Sequence, residues 1–98
     1  MQNNLLNIKN ILRAETYNLA KEFNVKSIEV FGSYTKGEQT EKSDIDLLVT
    51  FTSTPSLLKF IALENYLSEL LHSKVDLVMK NSIKQRLRKN ILSESVKI

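Results

Sequence analysis

Apolar residues along the chain change from a helical spacing to a strand-like spacing and back. A repeat of three or four residues near the start predicts one amphipathic helix over residues 4–23, with the inward positions Leu5, Ile8, Leu12, Thr16, Leu19 and Phe23. Short apolar segments predict strands at 26–32, 44–51 and 74–79. Thr54 as N-cap and Pro55 predict the start of a second helix, which runs to Leu71, and a last helix is predicted at roughly 83–92.

These elements predict an α/β fold of the α+β kind, a small mixed β-sheet with flanking helices on one or both faces. The strand at 44–51 is apolar on both faces beyond Asp46, which predicts a central position in the sheet. In the second long helix we expect the inward residues to be Leu57, Phe60, Ile61, Leu67 and Leu71. A chain of 98 residues is expected to form a single domain over 1–98.

Three aspartates stand in or beside the predicted strands. Asp44 and Asp46 share one strand face, with Cα atoms about 6.5–7 Å apart, and Asp76 lies inside the strand 74–79. Aspartate is disfavoured in strands, and neighbouring carboxylates repel each other. A divalent cation removes that repulsion, and Mg²⁺ is the usual choice beside phosphates. Two such ions about 3.5–4 Å apart could clamp both oxygens of an in-line displacement.

The turn that follows the first strand has the residues of a phosphate-binding loop. Gly32 lets the backbone approach a phosphate closely, and Ser33 offers a hydroxyl and a backbone N–H as donors. Lys36 adds a positive charge, and Gly37 allows a sharp turn. The same residue types also serve as ordinary turn and cap residues. On these residues alone, a binding site and a simple turn both remain open.

The spacing of these motifs resembles a known signature. Gly32-Ser33, then ten residues, then Asp44-x-Asp46 is similar to the signature of the DNA polymerase β-like nucleotidyltransferases. The segments 31–51, 67–78 and 91–96 resemble the minimal nucleotidyltransferase (MNT) branch of that superfamily.

The resemblance implies a polymerase β-like nucleotidyltransferase fold and a role for each motif residue. Asp44, Asp46 and Asp76 would be the catalytic and metal-binding carboxylates, and Gly32 and Ser33 would hold the triphosphate of ATP. Lys36 stands where the family often has arginine, and lysine keeps the charge but loses the bidentate geometry.

The resemblance further implies a Mg²⁺-dependent enzyme, with two ions, that moves AMP from ATP to a hydroxyl group. Stand-alone family members of this size are commonly antitoxins of a HEPN-domain ribonuclease toxin and modify a toxin tyrosine, so a hetero-oligomer is expected. Two alternatives stay open. The protein could mask its partner without catalysis, or it could modify a small molecule together with a separate substrate-binding chain.

Composition excludes several other classes of protein. The chain has no cysteine, so it has neither a disulfide framework nor a thiolate zinc site. Its net charge of +3 is too small to predict general nucleic-acid binding. We expect a cytoplasmic protein, because no apolar run in the sequence reaches membrane-spanning length.

Three further features have a structural and a functional interpretation. Glu64 is predicted to be a carboxylate at the edge of the core that pairs with a neighbouring lysine, and His72 a histidine in a surface loop. The basic run from Lys80 to Lys89 is either a solvated helix face or a surface for an acidic partner; its members are Lys80, Lys84, Arg86, Arg88 and Lys89.

Overall fold

The computed structural model describes residues 4–37, 39–40 and 43–98, and for residues 33, 85 and 86 it describes the backbone alone. The chain forms five helices and four strands in this part. In order they are α1 (Leu5–Ala14), α2 (Thr16–Phe23), β1 (Val25–Phe31), α3 (Ser33–Lys36), β2 (Ile45–Phe51), α4 (Leu57–Leu71), β3 (Val75–Met79), α5 (Gln85–Glu94) and β4 (Val96–Lys97), with a 3₁₀ turn at Lys80–Ser82 between β3 and α5.

The strands form one mixed sheet in the order β3-β2-β1-β4. β1 runs antiparallel to both β2 and β4, whereas β2 and β3 are parallel. The predicted α/β class is therefore confirmed. So is the interior position of β2, which pairs with a strand on each side.

One face of the sheet carries the main hydrophobic core. Alternate residues of the strands point toward α1, α2 and α4, because side chains alternate between the faces of a strand. The core on this face includes Ile28, Val30, Ile45, Leu47, Val49, Val75 and Leu77 from the strands and Ile8, Leu12, Leu19, Leu63, Leu67 and Leu71 from the helices. The intervening residues of β1, β2 and β3 point to the opposite face, where the 3₁₀ turn packs against β2 and α5 against β1.

The single helix predicted over 4–23 is interrupted at Glu15. Glu15 ends α1 with φ −101° and ψ 4°, and α2 begins at the next residue. Thr16 is exposed, although an inward position was predicted for it. Its hydroxyl donates a hydrogen bond to the carbonyl of Arg13 at 3.0 Å. The carboxylate of Glu15 accepts a hydrogen bond from the hydroxyl of Tyr66 on α4. The break coincides with this tertiary contact, which the apolar spacing alone does not reveal.

The start and the buried face of α4 also differ from the prediction. The N-cap is Ser56, whose hydroxyl accepts from the backbone N–H of Lys59 at 3.2 Å, so Thr54 and Pro55 precede the helix. The buried side chains are Leu63, Leu67 and Leu71, whereas Leu57 is 73% exposed and Ile61 is 43% exposed. The predicted inward positions Leu67 and Leu71 are confirmed, and Phe60 packs against the core. The helix is apolar on more than one side, and for this reason Leu57 and Ile61 were wrongly assigned to the inward face.

Two of the residues singled out earlier have clear structural surroundings. Glu64 accepts a hydrogen bond from the backbone N–H of Leu77 at 3.0 Å, so the partner found is a strand amide and not the predicted lysine. His72 is exposed and ends α4 in the left-handed conformation at φ 52°, which confirms a surface position. In the described part of the chain, no helix is both long enough and apolar enough to cross a membrane.

Glu29 is a buried charge that the sequence analysis did not identify. It lies in β1, is 5% exposed, and accepts hydrogen bonds from Lys80 Nζ at 2.8 Å and from Ser95 Oγ at 3.1 Å. Burial alone would raise the pKa of Glu29, but these two hydrogen bonds and the positive charges of Lys80 and Lys97 hold it below its ordinary value. Glu29 thus connects the 3₁₀ turn before α5 and the residue after α5 to the sheet. Lys80 is therefore not part of a solvated face.

We predict that Glu29→Gln lowers the free energy of unfolding by about 3–5 kcal/mol, because it leaves the ammonium group of Lys80 without its buried partner. Because folding lowers the pKa of Glu29, its stabilisation is present above the unfolded value of 4.5 and is lost as the pH falls through the folded value. Urea unfolding across the acid range should therefore show a weaker pH dependence in Glu29→Gln than in the wild type.

The matched control is Glu22→Gln, which removes an exposed carboxylate on α2 and should change stability by less than about 0.5 kcal/mol. The double variant Glu29→Met with Lys80→Met should recover much of the loss, since apolar replacement of a whole buried pair is often neutral. Equal stability of Glu29→Gln and the wild type would contradict this account of the pair.

Candidate active site

Gly32 directly follows β1 and has a backbone conformation that favours glycine. Its φ is +78°, and its carbonyl accepts from both the backbone N–H and the hydroxyl of Thr35, at 3.1 Å and 2.8 Å. These bonds close the short helix α3, which was predicted only as a turn. Gly37 follows it with φ +70°, consistent with the sharp turn expected there. The predicted phosphate loop is therefore one turn of helix between two left-handed glycines.

Asp46 lies directly against Gly32. In the antiparallel pairing of β1 and β2, the residue opposite Asp46 is Phe31, so its carboxylate meets the end of β1. A Cβ built on Gly32 would overlap Oδ2 of Asp46 and stand 3.1 Å from its Cγ. The glycine therefore makes room for the Asp46 side chain, a role that the sequence analysis had assigned only to an incoming phosphate.

Asp76 is the neighbour of Asp46 across the parallel pair of β2 and β3. The two residues are in register, so their side chains share one face of the sheet on strands about 4.8 Å apart. Burial raises the pKa of Asp46, and the negative charges of Asp76 and Asp44 raise it further. Asp44 and Asp76 are thus both close enough to Asp46 for their charges to raise its pKa.

Asp44 stands just before β2 and is exposed. Its Oδ2 lies 3.9 Å from Nζ of Lys74, a loose contact between two solvent-exposed side chains. Tyr34, which follows Ser33 in α3, is buried, and its burial together with the charge of Asp44 raises the pKa of its hydroxyl. Tyr34 therefore links the glycine-containing loop to the core beside the carboxylates. No periodicity in this short segment could have indicated that role.

Lys36 is held by the far end of the chain. Its Nζ lies 3.3 Å from Oε2 of Glu94 at the end of α5, and both side chains are about half exposed. Lys36, the predicted phosphate-binding cation, therefore lies in the helical turn between Gly32 and Gly37, but it is paired with the carboxylate of Glu94. The hydroxyl of Ser33 lies outside the described side chains, so its predicted contact with phosphate stays a prediction.

The carboxylates supply the oxygen ligands that Mg²⁺ prefers, and the mutual repulsion at Asp46 favours a cation beside it. Within residues 4–37, 39–40 and 43–98, however, no group of three or more His, Asp or Glu side chains is arranged so that it could hold a metal ion. Mg²⁺ is commonly bound by one or two carboxylates together with substrate phosphates and water. These residues fit a metal that binds together with a triphosphate better than they fit a preformed cage.

A cavity of about 220 Å³ lies elsewhere, at the edge of the sheet where α1 and α2 approach β1 and β4. Its walls include the cationic side chains Arg13, Lys26 and Lys97. The six residues predicted for the site are absent from its walls, so this cavity is distinct from the carboxylate cluster.

Comparison with known proteins identifies the family of the chain. Residues 11–98 match the family model described as a nucleotidyltransferase domain. The chain is 53% identical over 89 residues to the protein adenylyltransferase MntA of Thermococcus cleftensis, a match that covers 91% of this chain and 90% of the relative.

Two solved structures share the fold. One is a toxin–antitoxin structure with AMP-PNP, 28% identical, with a TM-score of 0.70 and coverage of 86% of this chain and 69% of the other. The second contains a tri-AMPylated HEPN toxin of Shewanella oneidensis in complex with an MNT antitoxin. It is 26% identical, with a TM-score of 0.65 and coverage of 94% of this chain and 68% of the other.

The two glycines offer a matched test of the contact with Asp46. Both have positive φ, but a Cβ at Gly37 would meet nothing within 4 Å. We predict that Gly37→Ala costs only the backbone strain of about 1–2 kcal/mol, whereas Gly32→Ala costs more because it also displaces Asp46. Thermal or urea unfolding measures both. If the two substitutions cost the same, the contact with Asp46 contributes nothing.

A second prediction follows from the raised pKa of Asp46. Because folding raises this pKa, the charged carboxylate destabilises the fold at neutral pH, and the penalty disappears as the pH falls toward the unfolded value of 3.8. Asp46→Asn should therefore be more stable at neutral pH in the presence of EDTA, by less than about 1 kcal/mol. Urea unfolding that finds this variant less stable than the wild type would contradict the proposed repulsion.

Proposed function

Because the chain belongs to the nucleotidyltransferase domain family, we propose that it transfers AMP from ATP to a hydroxyl group of a partner protein. The observation that carries the proposal is the in-register pair of Asp46 and Asp76 beside the close approach of Asp46 to Gly32. A pair of carboxylates next to a glycine turn is the arrangement that metal-assisted phosphoryl chemistry needs.

In the proposed reaction, the oxygen of the acceptor hydroxyl attacks the α-phosphorus of ATP. A new P–O bond forms to the acceptor, the bond from the α-phosphorus to the bridging oxygen breaks, and pyrophosphate leaves with that oxygen and its electron pair. The acceptor's proton passes to a base. Asp76 is our candidate for this base, because its exposed carboxylate stands beside Asp46 and is open to an incoming group.

The other residues would bind and orient the nucleotide. Gly32, the backbone N–H of Ser33 and the ammonium group of Lys36 would hold the triphosphate, since N–H groups and cations are its natural partners. Asp44 and Asp46 would hold one or two Mg²⁺ ions, and Asp76 would either complete the metal site or take the acceptor's proton. When bound, Mg²⁺ supplies the positive charge that neutralises the leaving pyrophosphate.

We further propose that the acceptor is a tyrosine of a HEPN-domain toxin and that this protein is its antitoxin. The support comes from the relatives described above, of which one is named a protein adenylyltransferase and another is a complex of an MNT antitoxin with an AMPylated HEPN toxin.

The decisive experiment incubates the protein with ATP, Mg²⁺ and a candidate HEPN-domain partner from the same genome, and then measures intact masses. We expect the partner to gain the mass of one or more AMP units, with loss of the gain when EDTA is added. Peptide mapping should place the AMP on a tyrosine. A partner that is bound and neutralised without any gain in mass would instead support masking.

We predict that Asp46→Asn abolishes the transfer and that Asp76→Asn slows it by at least about 10²-fold, the lower range for the loss of general-base help. Asp76→Asn should still bind ATP and the partner, because it lies beside the nucleotide loop and not in it. Glu69→Gln, which removes an exposed carboxylate on α4, is the matched control and should leave the rate unchanged. Wild-type transfer by Asp46→Asn would refute the proposed site.

A further inference from the structure

The last turn of α5 and the strand after it are fastened to the segment that carries the candidate nucleotide loop. Glu94 pairs with Lys36 at 3.3 Å, and Ser95 donates to Glu29 at 3.1 Å. Val96 and Lys97 then pair with Val30 and Glu29 of β1. An ion pair, a side-chain hydrogen bond and strand pairing therefore connect residues 94–97 to β1 and α3, the two elements that flank Gly32.

Within this attachment, the Glu94 contact differs from the others. The Ser95 and β4 contacts reach β1, whereas Glu94 alone among them reaches a side chain that we propose to bind the triphosphate. Both Lys36 and Glu94 are about half exposed, so water and solutes can reach the pair. An exposed ion pair of this kind is weak and exchanges its partner readily.

We infer that Glu94 sets the affinity for nucleotide by competing with the triphosphate for the ammonium group of Lys36. This inference rests on the proposed function, since it needs Lys36 to contact phosphate. In the free protein Glu94 neutralises Lys36 and holds its side chain toward α5. When the triphosphate arrives, its greater negative charge takes over the cation, and the Glu94 carboxylate returns to solvent.

The competition has a direction and a size. Removal of the Glu94 charge frees Lys36 before ATP binds, so Glu94→Gln should bind ATP more tightly than the wild type. The expected gain is about two- to five-fold, the factor that corresponds to an exposed ion pair of this kind. The gain should shrink at high salt, because ions screen exposed pairs.

The test is a double-mutant cycle with Mg²⁺-ATP, measured by calorimetry on wild type, Glu94→Gln, Lys36→Met and the double variant. Glu94→Gln should tighten binding when Lys36 is present and should have no effect beside Lys36→Met. Glu22→Gln makes the same change in net charge at an exposed position on α2, and it should leave the affinity unchanged.

The outcomes separate the inference from the proposed function. If Lys36→Met weakens ATP binding but Glu94→Gln does not tighten it, the triphosphate role of Lys36 stands and the competition is refuted. If Lys36→Met leaves ATP binding unchanged, both the role of Lys36 and the competition fail, while the carboxylate site is still tested by the Asp46 variant. An equal gain for Glu94→Gln with and without Lys36 would assign the effect to net charge and also overturn the competition.

Discussion

The candidate site depends on the gap that Gly32 leaves for the carboxylate of Asp46. A Cβ at this position would overlap that carboxylate, and the positive φ of Gly32 also disfavours any other residue. The close fit sets the end of β1 against the start of β2. The parallel register of β2 with β3 then places Asp76 beside Asp46. The missing Cβ thus makes room for the Asp46 carboxylate, and the strand register places the Asp76 carboxylate next to it.

This arrangement concentrates negative charge that the fold only partly neutralises. Asp46 is half-buried next to Asp76 and Asp44, and its pKa is raised first by burial and then by the negative charges of these two neighbours. Lys74 makes only a loose contact with Asp44 at 3.9 Å, and Lys36 is paired with Glu94. By contrast, Glu29 on the same face is fully engaged by Lys80 and Ser95, and its pKa is lowered. The fold therefore satisfies its buried structural carboxylate with two donors and leaves Asp46 beside two like charges, a contrast typical of functional sites.

The parts of the fold that the sequence predicted are those that depend on local periodicity. The three strands begin and end within one residue of their predicted bounds, and the α/β class is confirmed. The errors arise where contacts between residues far apart in the sequence determine the local structure. Glu15, where the first helix is interrupted, accepts a hydrogen bond from the distant Tyr66, and β4 is recognisable only through its pairing with β1. At the site, the motif identified Gly32 and Asp46 separately, but their direct contact is a consequence of strand register, which the sequence does not show.

Exposure within the carboxylate cluster bears on how an acceptor could enter. Asp46 is half-buried against Gly32, whereas Asp44 and Asp76 are exposed on the two sides of it, one along the strand and one on the neighbouring strand. A partly buried carboxylate suits a fixed contact, because its position is set by the packing around it. An exposed one can meet a group that arrives from outside. If transfer proceeds as proposed, with Asp76 as the base, the acceptor hydroxyl would therefore approach Asp46 from the side of β3.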